Sequence, residues 1–382
     1  VEVPYTAAEL FRYADRKILE AAAQVWPRAQ EIRLGAHTPS VTGYVRSLDV
    51  DGEEFFAKYS FLGLSLVSVV RGTCGSWEAV RAAQAAYTAS RGALLGREAE
   101  QLKLLALARA RVPEAVGYCA GVLFTRPLPG PTFGELVVKE PDRTEDLAVR
   151  AMRELDGAMR RMADRVQHVQ ISERGIPATF SRKFNGISGH AYLRQAGEFG
   201  PVLREVVVRL RRLGQATATG PRPLVYGDLK PEHIVYPHGP NEPPGYLDPG
   251  IAYGRDAADL AKLISRTTLG LIADPPPSGT VESVTAGLGA CAGKRVWHLT
   301  DSERAAWLRE LAVLWLMDTV NILSTYLTCP AVLPMPPKAI AAVERADAVC
   351  RLLDVASTVL AENKTSTAWP IVLGEAAKAA AS

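Results

Sequence analysis

Cysteine is scarce in this sequence and is never arranged as a motif. The five cysteines among 382 residues, Cys74, Cys119, Cys291, Cys329 and Cys350, lie far apart with no C-x-x-C pair. Neither a zinc framework nor a disulfide scaffold can be read from that spacing, which fits a reducing compartment. Long apolar runs are missing too. The longest uncharged one, Phe61–Val70, falls far short of the ~18 residues needed to cross a bilayer. The opening stretch VEVPYTAAELFRYADRKILEAA is amphipathic and charged, without the apolar centre of a signal peptide. Charge of one sign is equally scarce: a formal net charge of +3 gives no footing for a nucleic-acid or membrane partner in a chain of this length. The one basic run, REVVVRLRR at Arg204–Arg212, is interleaved with Val206, Val207, Val208 and Leu210, and reads as the solvated face of a helix. The expectation is a cytoplasmic protein that binds neither nucleic acid nor membrane.

What is present is an ordinary globular composition, 48% hydrophobic and 22% charged, in a chain long enough for two lobes. Residues 1–30 form a helical extension, with Leu10, Tyr13, Ile18, Ala21 and Val25 at helical steps. Residues 31–58 alternate apolar and polar side chains around the turn pair Asp51-Gly52, which predicts three strands. A helix over 76–109 and a hairpin over 117–126 follow. The Pro-rich stretch 127–131, PLPGP, is the predicted boundary. Beyond it, helices are predicted over 142–167, 200–216, 256–272, 302–328 and 337–362, with short strands near 223–226, 233–236 and 245–248. The predicted domains are therefore a β-rich lobe over 31–128, a helical lobe over 129–370, and an Ala-rich flexible tail over 371–382.

The chemistry concentrates in LVYGDLKPEHIVY, residues 224–236, where Asp228, Lys230 and His233 share a loop after an apolar strand. A second carboxylate, Asp248, ends another short apolar run in PPGYLDPG, twenty residues later. Two carboxylates on strand-end loops suit phosphoryl transfer. That reaction needs an orienting carboxylate, a metal to neutralise phosphate oxygens, and a lysine from another strand.

These residues resemble the aminoglycoside phosphotransferase family of the protein-kinase-like superfamily, whose catalytic loop reads H-G-D-x-x-x-x-N and whose metal loop reads I-D-x-x. Tyr226-Gly227-Asp228-Leu229-Lys230-Pro231-Glu232-His233 and Leu247-Asp248-Pro249-Gly250 occupy those places, followed by Asp256 and Asp259-Leu260-Ala261, similar to the family's G-D-x-x-x-D-L-A but with Gly254-Arg255 where that pattern has Gly-Asp. The resemblance spans roughly residues 30–265 and implies an α+β, two-lobe, protein-kinase-like fold. It also implies that Lys58, ending the strand EFFAK, anchors nucleotide phosphates. Its partner would be Glu98 in EAEQLKLL, with Glu100 in reserve. The forty residues between Lys58 and Glu98 imply a helical insertion at about 60–92. Ser40 and Thr42, in a loop that lacks G-x-G-x-x-G, would cover the phosphates. The nucleotide base would meet the backbone around Thr125 and Leu128.

Three substitutions relative to the family are informative. Tyr226 replaces the loop histidine. Lys230 adds the lysine that protein serine/threonine kinases carry two residues after the catalytic aspartate, where it stabilises charge in the transition state. His233 stands in place of the metal-binding asparagine, and imidazole suits softer divalent ions than magnesium. The resemblance thus implies transfer of the γ-phosphoryl group of ATP or GTP to a hydroxyl. Asp228 and Lys230 are the catalytic pair, and Asp248 holds Mg²⁺ or Mn²⁺, either together with His233 or as the principal ligand without it. The acceptor is a small molecule, or a serine or threonine of a precursor peptide; a nucleotide-binding pseudokinase is the non-enzymatic alternative. Acids such as Glu135, Asp142, Glu145, Asp146, Glu154 and Asp156 are scattered among bases and form no acidic patch for a cationic sugar. His168 and His190 lack partners at ligand spacing and read as surface or satisfied residues. The chain is compatible with a monomer or a homodimer through its C-terminal helices.

Overall fold

The computed structural model describes residues 6–72, 74–166, 175–217, 222–363 and 367–381. The chain divides into two compact units. The first is Val1–Leu128 with two short later segments, Met162–Ser172 and Cys329–Pro337; the second is the rest. The first break falls inside PLPGP.

The first unit is built on a five-stranded antiparallel sheet: β1 (Ile32–Thr38), β2 (Tyr44–Val50), β3 (Glu53–Tyr59), β4 (Ala115–Cys119) and β5 (Val122–Thr125), ordered β1-β2-β3-β5-β4. Asp51 and Gly52 join β2 to β3 with φ of 52° and 87°, the two left-handed residues that a tight hairpin requires. The helix Ala7–Val25 opens on a capping box between Thr6 and Glu9, and buries Leu10, Ala14, Ile18 and Ala21. It lies against the sheet, with Tyr13 edge-on to Tyr59 and, just past its end, Trp26 against Phe55. Strand periodicity then decides the fate of β3: Phe55, Ala57 and Tyr59 are buried, while Phe56 and Lys58 point to the other face.

The helix expected over 76–109 is two helices, Trp77–Ala89 and Leu94–Leu107. The break at Ser90–Ala93 contains Gly92, and the Tyr87 hydroxyl accepts the Leu94 N–H at 2.7 Å. The insertion at 60–92 contains Leu66–Val70, with Val67, Val69 and Val70 buried, and Trp77–Ala89.

The second unit is helical. Its centre is Asp301–Leu327, started by a Thr300–Glu303 capping box and buried around most of its circumference from Leu311 onward. Ala258–Ala273, Gly200–Ala216 and Ala346–Glu362 pack against it. The basic run on Gly200–Ala216 is not merely solvated: Arg209 holds Asp354 and Ser357, and Arg211 donates to Phe184 O at 2.9 Å. The helix predicted over 337–362 is broken at Arg345 into Pro337–Glu344 and Ala346–Glu362. The Ala-rich end is not a flexible tail. Ala368–Ala381 is a helix that buries Trp369, Val372 and Ala376 against Thr280–Arg295 and Ala346–Glu362. Phe133–Lys139, Ile176–Phe184, Gly186–Gln195 and Thr280–Arg295 are helices not predicted from sequence. Two short ladders pair Leu224–Val225 with Ala252–Tyr253 and Ile234–Val235 with Gly245–Tyr246. Among the described residues no helix is long and apolar enough to cross a membrane. His190 is exposed, and His168 lies outside the described residues.

Candidate active site

In the first unit the two residues chosen from sequence meet. Lys58 Nζ lies 2.6 Å from Glu98 Oε1, with both side chains largely shielded. Glu98 reaches it because Leu95, Ala99 and Leu102 pack the helix Leu94–Leu107 onto Leu123 of β5, the strand beside β3. The reserve, Glu100, is exposed. Between β1 and β2, Ser40 Oγ accepts the Thr42 and Gly43 N–H groups at 3.2 and 3.3 Å, so those donors are turned inward on their own loop. The loop is further tied down where Val41 and Thr42 carbonyls accept from Val67 and Leu66. Thr125 is buried at the end of β5, and the next residue, Arg126, donates its N–H to Glu114 O at 3.0 Å. Leu128, half-buried, has no backbone hydrogen bond among the described residues.

In the second unit the two short ladders present two adjoining loops. Tyr226, fully buried, donates its hydroxyl to Leu247 O at 2.6 Å and its carbonyl accepts the Gly250 N–H at 3.0 Å, which locks the Asp228 loop to the Asp248 loop. Asp259, at the start of Ala258–Ala273, accepts the N–H groups of Tyr226 and Gly227 at 2.8 and 2.7 Å. Burial dominates its ionisation, pushing the carboxyl up to about 6 against the pull of those two donors. Arg255, where the family pattern has aspartate, is buried and paired with Glu310.

Asp228 carries two ammonium groups, one on each oxygen: Lys230 Nζ at 2.8 Å from Oδ2 and Lys262 Nζ at 2.8 Å from Oδ1. Burial alone would raise this carboxyl; Lys230 and Lys262 outweigh it and hold it well below the ordinary carboxylate range. Lys262 was not found from sequence, though its place three residues after Asp259, on the same helix face, was a usable signal. Behind it lies Asp318, also unread, whose carboxylate takes Arg266 Nε and Ser265 Oγ at 2.8 and 2.9 Å.

His233 faces both aspartates. Its Nδ1 is 2.9 Å from the Asp228 carbonyl and its Nε2 is 3.6 Å from Asp248 Oδ2. Burial and then the Lys230 charge push the ring below its ordinary value, so it is neutral at pH 7. A carbonyl can only accept, so Nδ1 carries the proton and Nε2 turns its lone pair towards Asp248. That is the arrangement of a metal-ligating histidine oriented by a backbone carbonyl. Asp248, half-exposed, has φ of 56°, a left-handed conformation that aspartate adopts more readily than most side chains. The pair fits a divalent ion as two of its ligands; no group of three or more protein ligands forms among the described residues. The remaining positions would fall to phosphate oxygens and water.

Most of the acids considered for a cationic-acceptor cleft are engaged elsewhere. Glu135 closes a capping box with Thr132, Glu145 pairs with Lys294, Asp146 with Arg150, and Asp156 with Arg295.

No family model and no curated protein matches the chain. Solved structures do. One is a candidate aminoglycoside phosphotransferase from Ralstonia eutropha JMP134, 11% identical, covering 90% of this chain and 98% of that one with a TM-score of 0.50. Others are a choline kinase from Cryptosporidium parvum Iowa II (10% identity, 90% and 94% covered, TM-score 0.49) and an ethanolamine kinase from Plasmodium vivax (12% identity, 86% and 84% covered, TM-score 0.48). At such identities the likeness is one of fold: the chain has the protein-kinase-like fold, a five-stranded antiparallel N-terminal sheet followed by a mostly helical remainder.

Proposed function

We propose that this protein is a phosphotransferase that moves the γ-phosphoryl group of ATP or GTP to a hydroxyl of a small molecule. The observation that carries the reading is the Asp228 carboxylate held between Lys230 and Lys262, beside a neutral His233 whose lone pair faces Asp248. Lys58, held by Glu98, grips the nucleotide phosphates. Asp248 and His233 hold the divalent ion, which neutralises phosphate oxygens when bound.

Asp228 accepts a hydrogen bond from the acceptor hydroxyl and aims its oxygen at the γ-phosphorus. The new oxygen–phosphorus bond forms as the bond to the β-phosphate oxygen breaks, and the hydroxyl proton passes to Asp228. A carboxylate held so low is a weak base, so its chief work is orientation, with the proton leaving late. Lys230, on the loop and partly exposed, turns from Asp228 to the transferring phosphate and stabilises its charge. The ion pairs of Glu145, Asp146 and Asp156 argue for an acceptor that is not a polycation.

The test is a calorimetric titration with ATP and with GTP, in magnesium, in manganese and without metal, on the wild type, Asp228→Ala and Asp248→Ala. Asp228→Ala should keep nucleotide affinity and lose transfer, while Asp248→Ala should lose metal-dependent binding. Equal loss of affinity in both contradicts the assigned roles. Binding without transfer by the wild type favours a nucleotide-binding pseudokinase, and no binding under any condition excludes both readings.

A further inference from the structure

The two lysines on Asp228 differ in what stands behind them. Lys230 is on the same loop as Asp228, two residues on, in extended backbone. Lys262 rises from the helix Ala258–Ala273, one turn after the Asp259 that fastens the loop. Its Nζ is also 3.9 Å from Oδ1 of Asp318, a residue 3% exposed in the middle of Asp301–Leu327. Asp318 in turn takes Arg266 through Nε on Oδ2 and a second guanidinium nitrogen at 3.3 Å on Oδ1, with Ser265 Oγ on Oδ2. The result is a line of alternating charge, Asp228–Lys262–Asp318–Arg266, running from the loop across two packed helices.

Stability does not call for such a line. Buried ion pairs are often replaceable by apolar side chains without loss, and Arg266 with Ser265 already satisfies Asp318. What the line supplies is an ammonium fixed in space at one oxygen of Asp228. A carboxylate turns freely about its Cβ–Cγ bond unless something holds one end, and misplacement of an orienting group is expensive in rate.

We propose that Lys262 is a positioning residue. Held from behind by Asp318, it pins Oδ1 of Asp228, so that Oδ2 faces the acceptor hydroxyl once Lys230 has moved to the phosphate. The consequence for catalysis rests on the phosphotransferase reading; the positioning itself does not.

The test pairs crystal structures with nucleotide turnover, using water as the acceptor, for Lys262→Met, Lys262→Arg and Asp318→Asn. In Lys262→Met the Asp228 carboxylate should rotate and kcat should fall about 10- to 100-fold with KM for nucleotide little changed, the scale expected of a displaced orienting group. Lys262→Arg should restore the orientation and most of the rate. Asp318→Asn, which leaves Lys262 present but unsupported, should show a smaller change in the same direction. Should Lys262→Met fail to fold, Lys262→Gln carries the same test. An unchanged carboxylate orientation in Lys262→Met overturns the proposal, whether the rate holds or falls; a fall alone would mean that Lys262 touches the reacting phosphate itself. A rotated carboxylate with an unchanged rate overturns it as well. If the wild type turns over no nucleotide, the phosphotransferase reading fails, and the orientation of Asp228 in Lys262→Met still decides the positioning claim.

Discussion

Gly227 lies so close to Gly250 that a Cβ built on it would stand 2.1 Å from the Gly250 carbonyl oxygen. The obstacle is backbone, and it cannot step aside, because the Gly250 N–H is bound to Tyr226 O. Gly227 also has φ of 84°, which side chains disfavour. The two loops that carry Asp228 and Asp248 are therefore joined at a contact only glycine allows. Gly227→Ala should destabilise the protein by ~2 kcal/mol or more and abolish phosphoryl transfer, since either Asp228 or Asp248 must shift. Urea unfolding and a nucleotide-turnover assay read the two effects. An alanine variant with wild-type stability would mean that the loops are not locked together.

Asp259 links the same loop to pH. Its carboxyl is raised to about 6 from 3.8, chiefly by burial. A raised carboxyl binds its proton more readily in the folded state, so its contribution to stability is full below about pH 4 and is lost as pH rises through about 6. Asp259→Asn cannot titrate, and comparing the two cancels the other acids. The stability advantage of the wild type over Asp259→Asn should narrow as pH rises from about 4 to about 7. Urea midpoints across that range measure it. A widening gap would show that the two backbone donors outweigh burial and hold the carboxyl low instead.

How much of this was legible depended on sequence distance. β1 to β3 could be read because alternation and the Asp51-Gly52 turn are local signals. The Asp228 loop could be read because its chemistry is contiguous, and Glu98 because EAEQLKLL resembles a family pattern. Lys262 was missed although Asp259, Lys262 and Arg266 recur at helical steps, because that spacing does not say what the stripe faces. Asp318 could not be read: it is a lone acid in a stretch of helix buried on most sides, and it meets Lys262 only through the fold. The helix Thr280–Arg295 was unreadable for another reason. Its glycines lower helix propensity, yet a Cβ on Gly287 would stand 2.7 Å from Thr144 and one on Gly289 would stand 2.8 Å from Leu373. Small residues are there for close packing, which local propensity does not register.

His233 offers the sharpest separation of metal chemistry from fold. Its neutral ring, proton on Nδ1 and lone pair towards Asp248, presents nitrogen where a hard ion prefers oxygen. Manganese accepts such a mixed set more readily than magnesium. The wild type should therefore bind nucleotide more tightly and turn it over faster in manganese than in magnesium. If His233 is a ligand as proposed, His233→Asn replaces its nitrogen with a carbonyl oxygen and should shift the preference towards magnesium by ~10-fold or more, the scale on which groups around a metal alter affinity. Paired titrations in the two metals, on wild type and variant, give the ratio directly. The same shift cannot come from a loosened loop, because loosening would weaken both metals alike. If the ratio is the same in both proteins, His233 is not a ligand, and Asp248 holds the ion with phosphate oxygens and water.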